Sequence, residues 1–434
     1  MPVPASVLLK TNGCACGREH ICPVKDVLIG KGVLASLPDE IARLGGKKAF
    51  ILSDGNTYEA AGKTVCDLLD KAGTPYALFC FDKEKLVPDE KAVGSAFMHF
   101  DASCDVIVGV GSGVINDISK LLAACVKVPY IIVGTAPSMD GYASGSSSME
   151  RDGLKVSLNT KTPDVIIGDV DVLKNAPEKM LIAGLGDMLA KYVSITEWRV
   201  SHLINGEYYC EEVASLVRGA LKKCVDNADG LLKREETAVA AVFEGLVIGG
   251  VAMTYAGLSR PASGVEHYVS HIWDMRGVAF GTHTELHGLQ CAVGTLIAAK
   301  AYEKLKTVKP DREKALAHAA AFDVGAWNEV LRENIGKGAE SMITLEEKEG
   351  KYDVNKHAAR LEVILSHWDD ILAIMAEELP PVETLTALYD RIGMPKTPEA
   401  LGIDGVDTAL VLKMSKDIRD KYVLSRLLWD IGEE

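Results

Sequence analysis

The sequence predicts two domains of different class, an α/β domain on a parallel sheet over residues 1–170 and an all-α domain over 171–434. Three observations carry this. Short, β-rich apolar runs alternate with helix-length segments as far as about Pro163. From Pro177 onward the pattern turns helical and strand-like runs stop. A chain of 434 residues, 48% hydrophobic and 25% charged, has the length for two or three cores and an ordinary globular composition, which excludes fibrous, coiled-coil and disordered readings.

The elements follow in order. Residues 48–54 (KAFILSD), 75–81 (PYALFCF), 105–110 (DVIVGV) and 129–135 (PYIIVGT) are almost continuously hydrophobic. That suits parallel strands covered on both faces. Segments 57–71 and 114–126 are the length of crossover helices, and alternating β and α implies right-handed connections. Residues 163–169 read as one last short strand. Beyond them, 180–203, 210–232, 237–258 and 288–302 read as amphipathic or buried helices. The most apolar, 237–258, carries Glu244 and four glycines and lacks the clean run of ~20 residues that a membrane span requires. It reads as a buried helix. The charged stretch 346–356 reads as a solvated insertion.

Lys and Arg total 47 against 61 Asp and Glu, a net charge of −14. Such a balance argues against a nucleic-acid or anionic-membrane surface, yet leaves room for a small anionic substrate in a local basic pocket. The opening MPVPASVLLKTNG has no cationic region and is interrupted by Lys10, so it is not read as a signal peptide. Ten scattered cysteines then predict reduced thiols and a cytoplasmic protein.

Several features carry chemistry. Asp54 ends the first strong strand, where a carboxylate can accept the hydroxyls of an adenine ribose and repel a 2′-phosphate; it can equally cap the helix that follows. Gly109-Val-Gly-Ser-Gly113, followed by Val114, Ile115, Asn116 and Asp117, puts glycines between a strand and a helix N-terminus, a cradle for pyrophosphate. It is neither the GxGxxG fingerprint nor a P-loop. Thr135-Ala136-Pro137-Ser138-Met-Asp140-Gly-Tyr-Ala-Ser144 lies past the fourth strand, where open α/β sheets bind ligands. In the helical half, His267 and His271 stand at i and i+4, and His287 opens the next helix. Asp187, in Gly184-Leu-Gly-Asp187, is read as lying in the first turn of a helix. Asp187, His267 and His287 form a plausible three-donor set for a catalytic divalent metal. Cys14, Cys16, His20 and Cys22 have no standard zinc-knuckle spacing and are read as incidental.

Taken together, Asp54, GSGVINDISK (111–120), TAPSMDGYAS (135–144), GLGDMLAK (184–191), SRPASGVEHYVSH (259–271) and LHG (286–288) span nearly the whole chain. The set resembles the superfamily of iron-containing alcohol dehydrogenases, glycerol dehydrogenases and dehydroquinate synthases, and within it the bacterial sn-glycerol-1-phosphate dehydrogenases. The tail RDKYVLSRLLWDIG (419–432) is similar too. The resemblance implies a dehydroquinate synthase-like architecture, with an NAD-binding N-terminal domain and a metal and substrate domain after it. It implies that Asp54 binds the ribose, that Gly113 to Asp117 hold the pyrophosphate, and that Thr135, Ala136, Pro137, Ser138 and Ser144 face the nicotinamide half. Asp187, His267 and His287 would bind the metal, while Asp140, Asp187 and His271 would touch substrate. NAD is expected ahead of NADP, and an O,N,N set suits Ni, Zn or Fe.

The implied reaction is reduction of dihydroxyacetone phosphate to sn-glycerol 1-phosphate, with His271 or a bound water as proton source. Arg260 and Lys191 are the candidate cations for the substrate phosphate. The resemblance also implies a homodimer or larger homo-oligomer, a role in phospholipid biosynthesis, and no nucleic-acid or membrane partner. Two alternatives keep the fold: a polyol dehydrogenase for an unphosphorylated substrate, and a dehydroquinate synthase-like lyase, which Asp187 in place of a Glu ligand disfavours. A non-catalytic sensor would have lost a ligand or the glycine loop, and neither is lost.

Overall fold

The computed structural model describes residues 13–82 and 86–434, so residues 1–12, the bulk of the stretch not read as a signal peptide, lie outside the described residues. Six parallel strands form one sheet in the order β1-β8-β5-β4-β2-β3. They are β1 (Asp26–Gly30), β2 (Ala49–Asp54), β3 (Tyr76–Phe81), β4 (Val106–Gly111), β5 (Tyr130–Gly134) and β8 (Val165–Asp169). Every residue of β4, β5 and β8 is buried, as their unbroken hydrophobicity predicts for strands covered on both faces. The last strand read from sequence is not peripheral: β8 lies between β1 and β5.

Two features escape the sequence reading. Edge strand β1 alternates half-buried and buried residues and is only five long. Ser146–Arg151 (β6), rich in serine, pairs antiparallel with Leu154–Asn159 (β7) around Asp152-Gly153.

By packing, the chain divides into two units. The first holds residues up to Met188 together with Glu212–Leu258, and the second holds Leu189–Glu211 with Ser259–Glu434. The sequence reading has a single crossing at 170/171. The difference has a physical reason in the apolar helix Glu236–Ala256, which packs within the first unit. Its Phe243 ring lies 4.9 Å from the Tyr142 ring, and Thr254 Oγ1 donates to the Ala143 carbonyl. By length and composition this helix could cross a membrane, but most of it is buried in protein.

The second unit is helical among its described residues, with a core around Tyr268, Tyr302, Trp368 and Leu427. The segment 180–203, expected as one helix, is two: Glu178–Leu189 and Lys191–Asn205. The stretch expected as a solvated insertion is partly inside: Glu346 is buried, and Tyr352 stacks on Phe322 at 4.6 Å and bonds Asp417 Oδ2 at 2.6 Å. Charge along the sequence hid this aromatic anchor.

Candidate functional site

Two constellations stand out, one in each unit. In the first, β2 and β4 are neighbours, with Leu52 opposite Gly109, so Asp54 and the glycine loop end adjacent strands. Asp54 Oδ1 accepts the Thr57 N–H at 2.8 Å, and Thr57 Oγ1 accepts the Asp54 N–H at 3.0 Å. This is the capping box that one of its two readings foresaw, and it fixes where the carboxylate points.

Gly113 begins the helix Gly113–Val126, whose first bond runs from the Asn116 N–H to the Ser112 carbonyl at 2.9 Å. The amides of Gly113, Val114 and Ile115 precede that bond and form the positive end of the helix. The side chains of the next residues serve the fold. Ile115 is in the core. Asn116 receives the Tyr130 hydroxyl at 3.0 Å and donates to the Gly141 carbonyl at 3.1 Å. Asp117 faces the buried Lys120 Nζ at 3.3 Å, and burial pushes the Asp117 carboxyl up and the Lys120 ammonium down. Lys120 also reaches the Gly141 carbonyl at 3.0 Å and Ser144 Oγ at 3.2 Å. Of residues 113–117, then, the backbone amides at the helix start remain the feature suited to a phosphate.

Asn116 and Lys120 clamp the loop at Gly141 and Ser144, and its Thr135, Ala136, Pro137, Ser138, Asp140 and Ser144 are all buried, while Met139 and Gly141 are half-buried. The Tyr142 hydroxyl donates to the Ala136 carbonyl at 2.6 Å. The Asp140 N–H donates to Asp187 Oδ2 at 2.9 Å. Asp187 is in the last turn of Glu178–Leu189, not the first turn expected. Gly184 looks like a helix start in sequence, but it sits mid-helix because the Pro137 carbonyl comes so close that a Cβ there would lie 1.8 Å from its oxygen.

In the second unit, helices Val265–Phe280 and His287–Leu305 bring His267, His271 and His287 together. The His267 and His287 rings are 5.0 Å apart, and His271 lies 6.4 Å and 6.2 Å from them. Donor atoms of His267, His287 and Cys291 all lie within 4.8 Å of one another. His267 Nδ1 is 2.7 Å from Glu266 Oε1, which also accepts the Gly264 N–H at 2.7 Å. A carboxylate on Nδ1 favours the tautomer that leaves Nε2 as the donor, the usual support for a metal-bound histidine. Glu266 and Cys291 were missed in the sequence, although their signals were there: Glu266 adjoins His267, and Cys291 stands at i+4 from His287. Behind them, Glu197 accepts the Val265 and Leu424 amides, and burial together with the Glu266 charge raises its carboxyl to about 8.

The two candidate phosphate cations are engaged otherwise. Buried Arg260 grips Glu207 through Nε at 2.8 Å and Nη2 at 2.6 Å, and donates to the Tyr422 carbonyl at 2.7 Å. Lys191 Nζ donates to the Ala262 carbonyl at 3.1 Å.

A family model described as iron-containing alcohol dehydrogenase matches residues 28–177. A Halalkalibacterium halodurans protein named glycerol-1-phosphate dehydrogenase, NAD(P)+, is 35% identical over 67% of this chain and 74% of its own. The Geobacillus stearothermophilus protein of that name is 27% identical over 90% and 89% of the two chains. Among solved structures, glycerol dehydrogenase from Schizosaccharomyces pombe gives a TM-score of 0.62 at 17% identity, covering 94% of this chain and 88% of that one. Sulfoacetaldehyde reductase from Bifidobacterium kashiwanohense also gives 0.62, at 16% identity over 95% and 97%. At such identities the likeness is one of fold.

Proposed function

This chain belongs to the glycerol-1-phosphate dehydrogenases of the iron-containing alcohol dehydrogenase superfamily, and from that premise we propose that it reduces dihydroxyacetone phosphate to sn-glycerol 1-phosphate with NADH. The observation that carries the reading is the 2.7 Å Glu266–His267 contact beside His287, which a metal-binding histidine needs. His267 and His287 would hold a divalent ion, with Asp187 as the oxygen donor that the resemblance implies, and such an O,N,N set suits Ni, Zn or Fe. When bound, the nicotinamide supplies a hydride to C2 of the ketone and the ion supplies a Lewis acid for its oxygen.

The chain's own groups do the remainder. The amides of Gly113 to Ile115 and the helix dipole hold the pyrophosphate, and Asp54 takes the ribose hydroxyls, disfavouring a 2′-phosphate. The loop from Thr135 to Ser144, held by Asn116, Lys120 and Asp187, orients the nicotinamide, and its Asp140 meets the substrate. His271 gives a proton from a ring nitrogen to the oxygen at C2, so ketone, hydride and proton together yield the alcohol.

The test follows NADH absorbance in metal-stripped protein repleted with Ni²⁺, Zn²⁺ or Fe²⁺, offered dihydroxyacetone phosphate or dihydroxyacetone. Metal-dependent oxidation with the phosphate, and a product oxidised by an sn-1-specific enzyme, supports the proposal. Turnover of dihydroxyacetone alone makes the chain a polyol dehydrogenase. Silence with both, in protein that binds NADH and metal, refutes the dehydrogenase reading.

A further inference from the structure

The cysteine-rich stretch before β1 has no part in that reaction. A turn closed by the Gly17 N–H on the Cys14 carbonyl, at 2.9 Å, carries Cys14 and Cys16. Gly17 has φ +78°, a left-handed conformation that costs glycine little and lets the chain double back. As a result, His20 Nε2 stands 3.4 Å from Cys16 Sγ. Donor atoms of Cys14, Cys16 and His20 all lie within 4.8 Å of one another. The histidine is buried at 1% exposure, and its Nδ1 is 3.1 Å from the Tyr255 carbonyl of helix Glu236–Ala256.

We propose that Cys14, Cys16 and His20 bind a structural transition-metal ion of the zinc class. Three points converge on that chemistry. Zinc bonds of about 2.3 Å to sulfur and about 2.0 Å to nitrogen, at a tetrahedral angle, separate the two donors by about 3.5 Å. The observed 3.4 Å is that separation. A carbonyl on Nδ1 holds the ring with that N–H donating to Tyr255, so the Nε2 lone pair is the one facing the thiols. Two thiolates and a neutral imidazole neutralise a divalent ion in a half-buried place, and a fourth donor completes the tetrahedron. Cys22, two residues beyond His20, is not in the group; burial raises its thiol. Spacing alone made these residues look incidental, whereas the turn and the Tyr255 carbonyl make them a set. The ion would fasten the stretch before β1 to helix Glu236–Ala256 through His20.

The full chain, purified without chelator, is assayed for bound metal and, after exchange with Co²⁺, for the thiolate-to-cobalt absorption band of the near ultraviolet. The Cys14→Ser/Cys16→Ser protein is expected to hold one equivalent less metal and to lose the band. Cys291→Ser, which removes the thiol beside His267 and His287, is expected to keep it. Should the double variant not fold, a mercurial titration of the Cys291→Ser protein gives the same reading, with one equivalent of zinc released as Cys14 and Cys16 are modified. Equal metal in wild type and double variant, a band lost with Cys291 instead, or a Cys14–Cys16 disulfide in the purified protein overturns the proposal. NADH oxidation reads the other site, so either inference can fail alone.

Discussion

Replacing Gly184 by alanine tests how the site loop is held. The new Cβ would lie 1.8 Å from the Pro137 oxygen, 2.8 Å from the Pro137 carbonyl carbon and 3.1 Å from Leu246 Cδ1. A carbonyl cannot rotate out of the way as a side chain can. A tolerable approach is about 3.2 Å, so loop and helix must part by about 1.4 Å. That displacement stretches the 2.9 Å bond between the Asp140 N–H and Asp187 Oδ2 beyond hydrogen-bond range. Overpacking of this kind costs about 3 kcal/mol, and alanine returns about 1 kcal/mol of helix propensity. The net loss of about 2 kcal/mol lowers the thermal midpoint by about 4–8 °C. Loop displacement lowers kcat/KM by about a hundredfold. Gly94→Ala is the control: Gly94 is also inside a helix, Glu90–His99, but its Cβ meets nothing within 4 Å, so its midpoint should rise by about 2–4 °C. Scanning calorimetry and NADH kinetics read both variants. If Gly184→Ala melts at or above the wild-type midpoint, the close approach of Pro137 does not constrain the helix and the argument fails.

Other perturbations address the second unit. Burial, with Arg260 and Arg419 nearby, lowers the Lys421 ammonium to about 7 despite Glu266 and Glu197. Between that value and the ordinary lysine range near ~10.4 the unfolded chain binds more protons, so stability rises with pH across the window; Lys421→Met should flatten the rise in urea midpoints measured from pH 7 to 10. Arg260→Ala strands Glu207 and the Tyr422 carbonyl, and should cost about 3 kcal/mol by denaturant titration while KM for the phosphate substrate stays within about twofold; a large KM increase at unchanged stability would instead make Arg260 a substrate cation. Glu266→Gln weakens the support of His267 and should lower metal affinity by about tenfold in chelator competition.

What could be read from the sequence follows from how each signal arises. Strands β2, β4, β5 and β8 declare themselves because burial on both faces demands unbroken apolar runs. Edge strand β1 and the Ser-rich β6 have no such demand, so neither is legible in the sequence. The His267/His271 pair was visible because one helix sets its spacing, and the helix that His287 opens was visible as well. Asp187 lies in the last turn of Glu178–Leu189 rather than the first because glycine has two meanings: in sequence it suggests a helix boundary, whereas at Gly184 the close approach of the Pro137 carbonyl is what requires it. Charge makes Arg260 and Lys191 candidates in the sequence, but charge does not reveal that the Arg260 guanidinium is held by Glu207. Cys14, Cys16 and His20 depended on a turn that no periodicity announces.

The same helix explains why a single carboxylate matters in the first unit. Gly184 and Asp187 are three residues apart, hence on one face of Glu178–Leu189. Gly184 meets the carbonyl of Pro137 and Asp187 accepts the amide of Asp140, so the helix pins the Pro137–Asp140 segment at both ends. From its other side, Asn116 and Lys120 hold the Gly141 carbonyl, and those two side chains grow from the helix whose first amides suit a pyrophosphate. The loop therefore has no independent position: its place follows from the glycine-loop helix on one side and from Asp187 on the other. In the proposed reaction that arrangement is required, since the reduced nicotinamide and the polarised ketone must meet within a fraction of an ångström. Burial in the last turn of Glu178–Leu189 is what brings the Asp187 carboxylate within 2.9 Å of the Asp140 amide, so this one side chain sets where the loop lies.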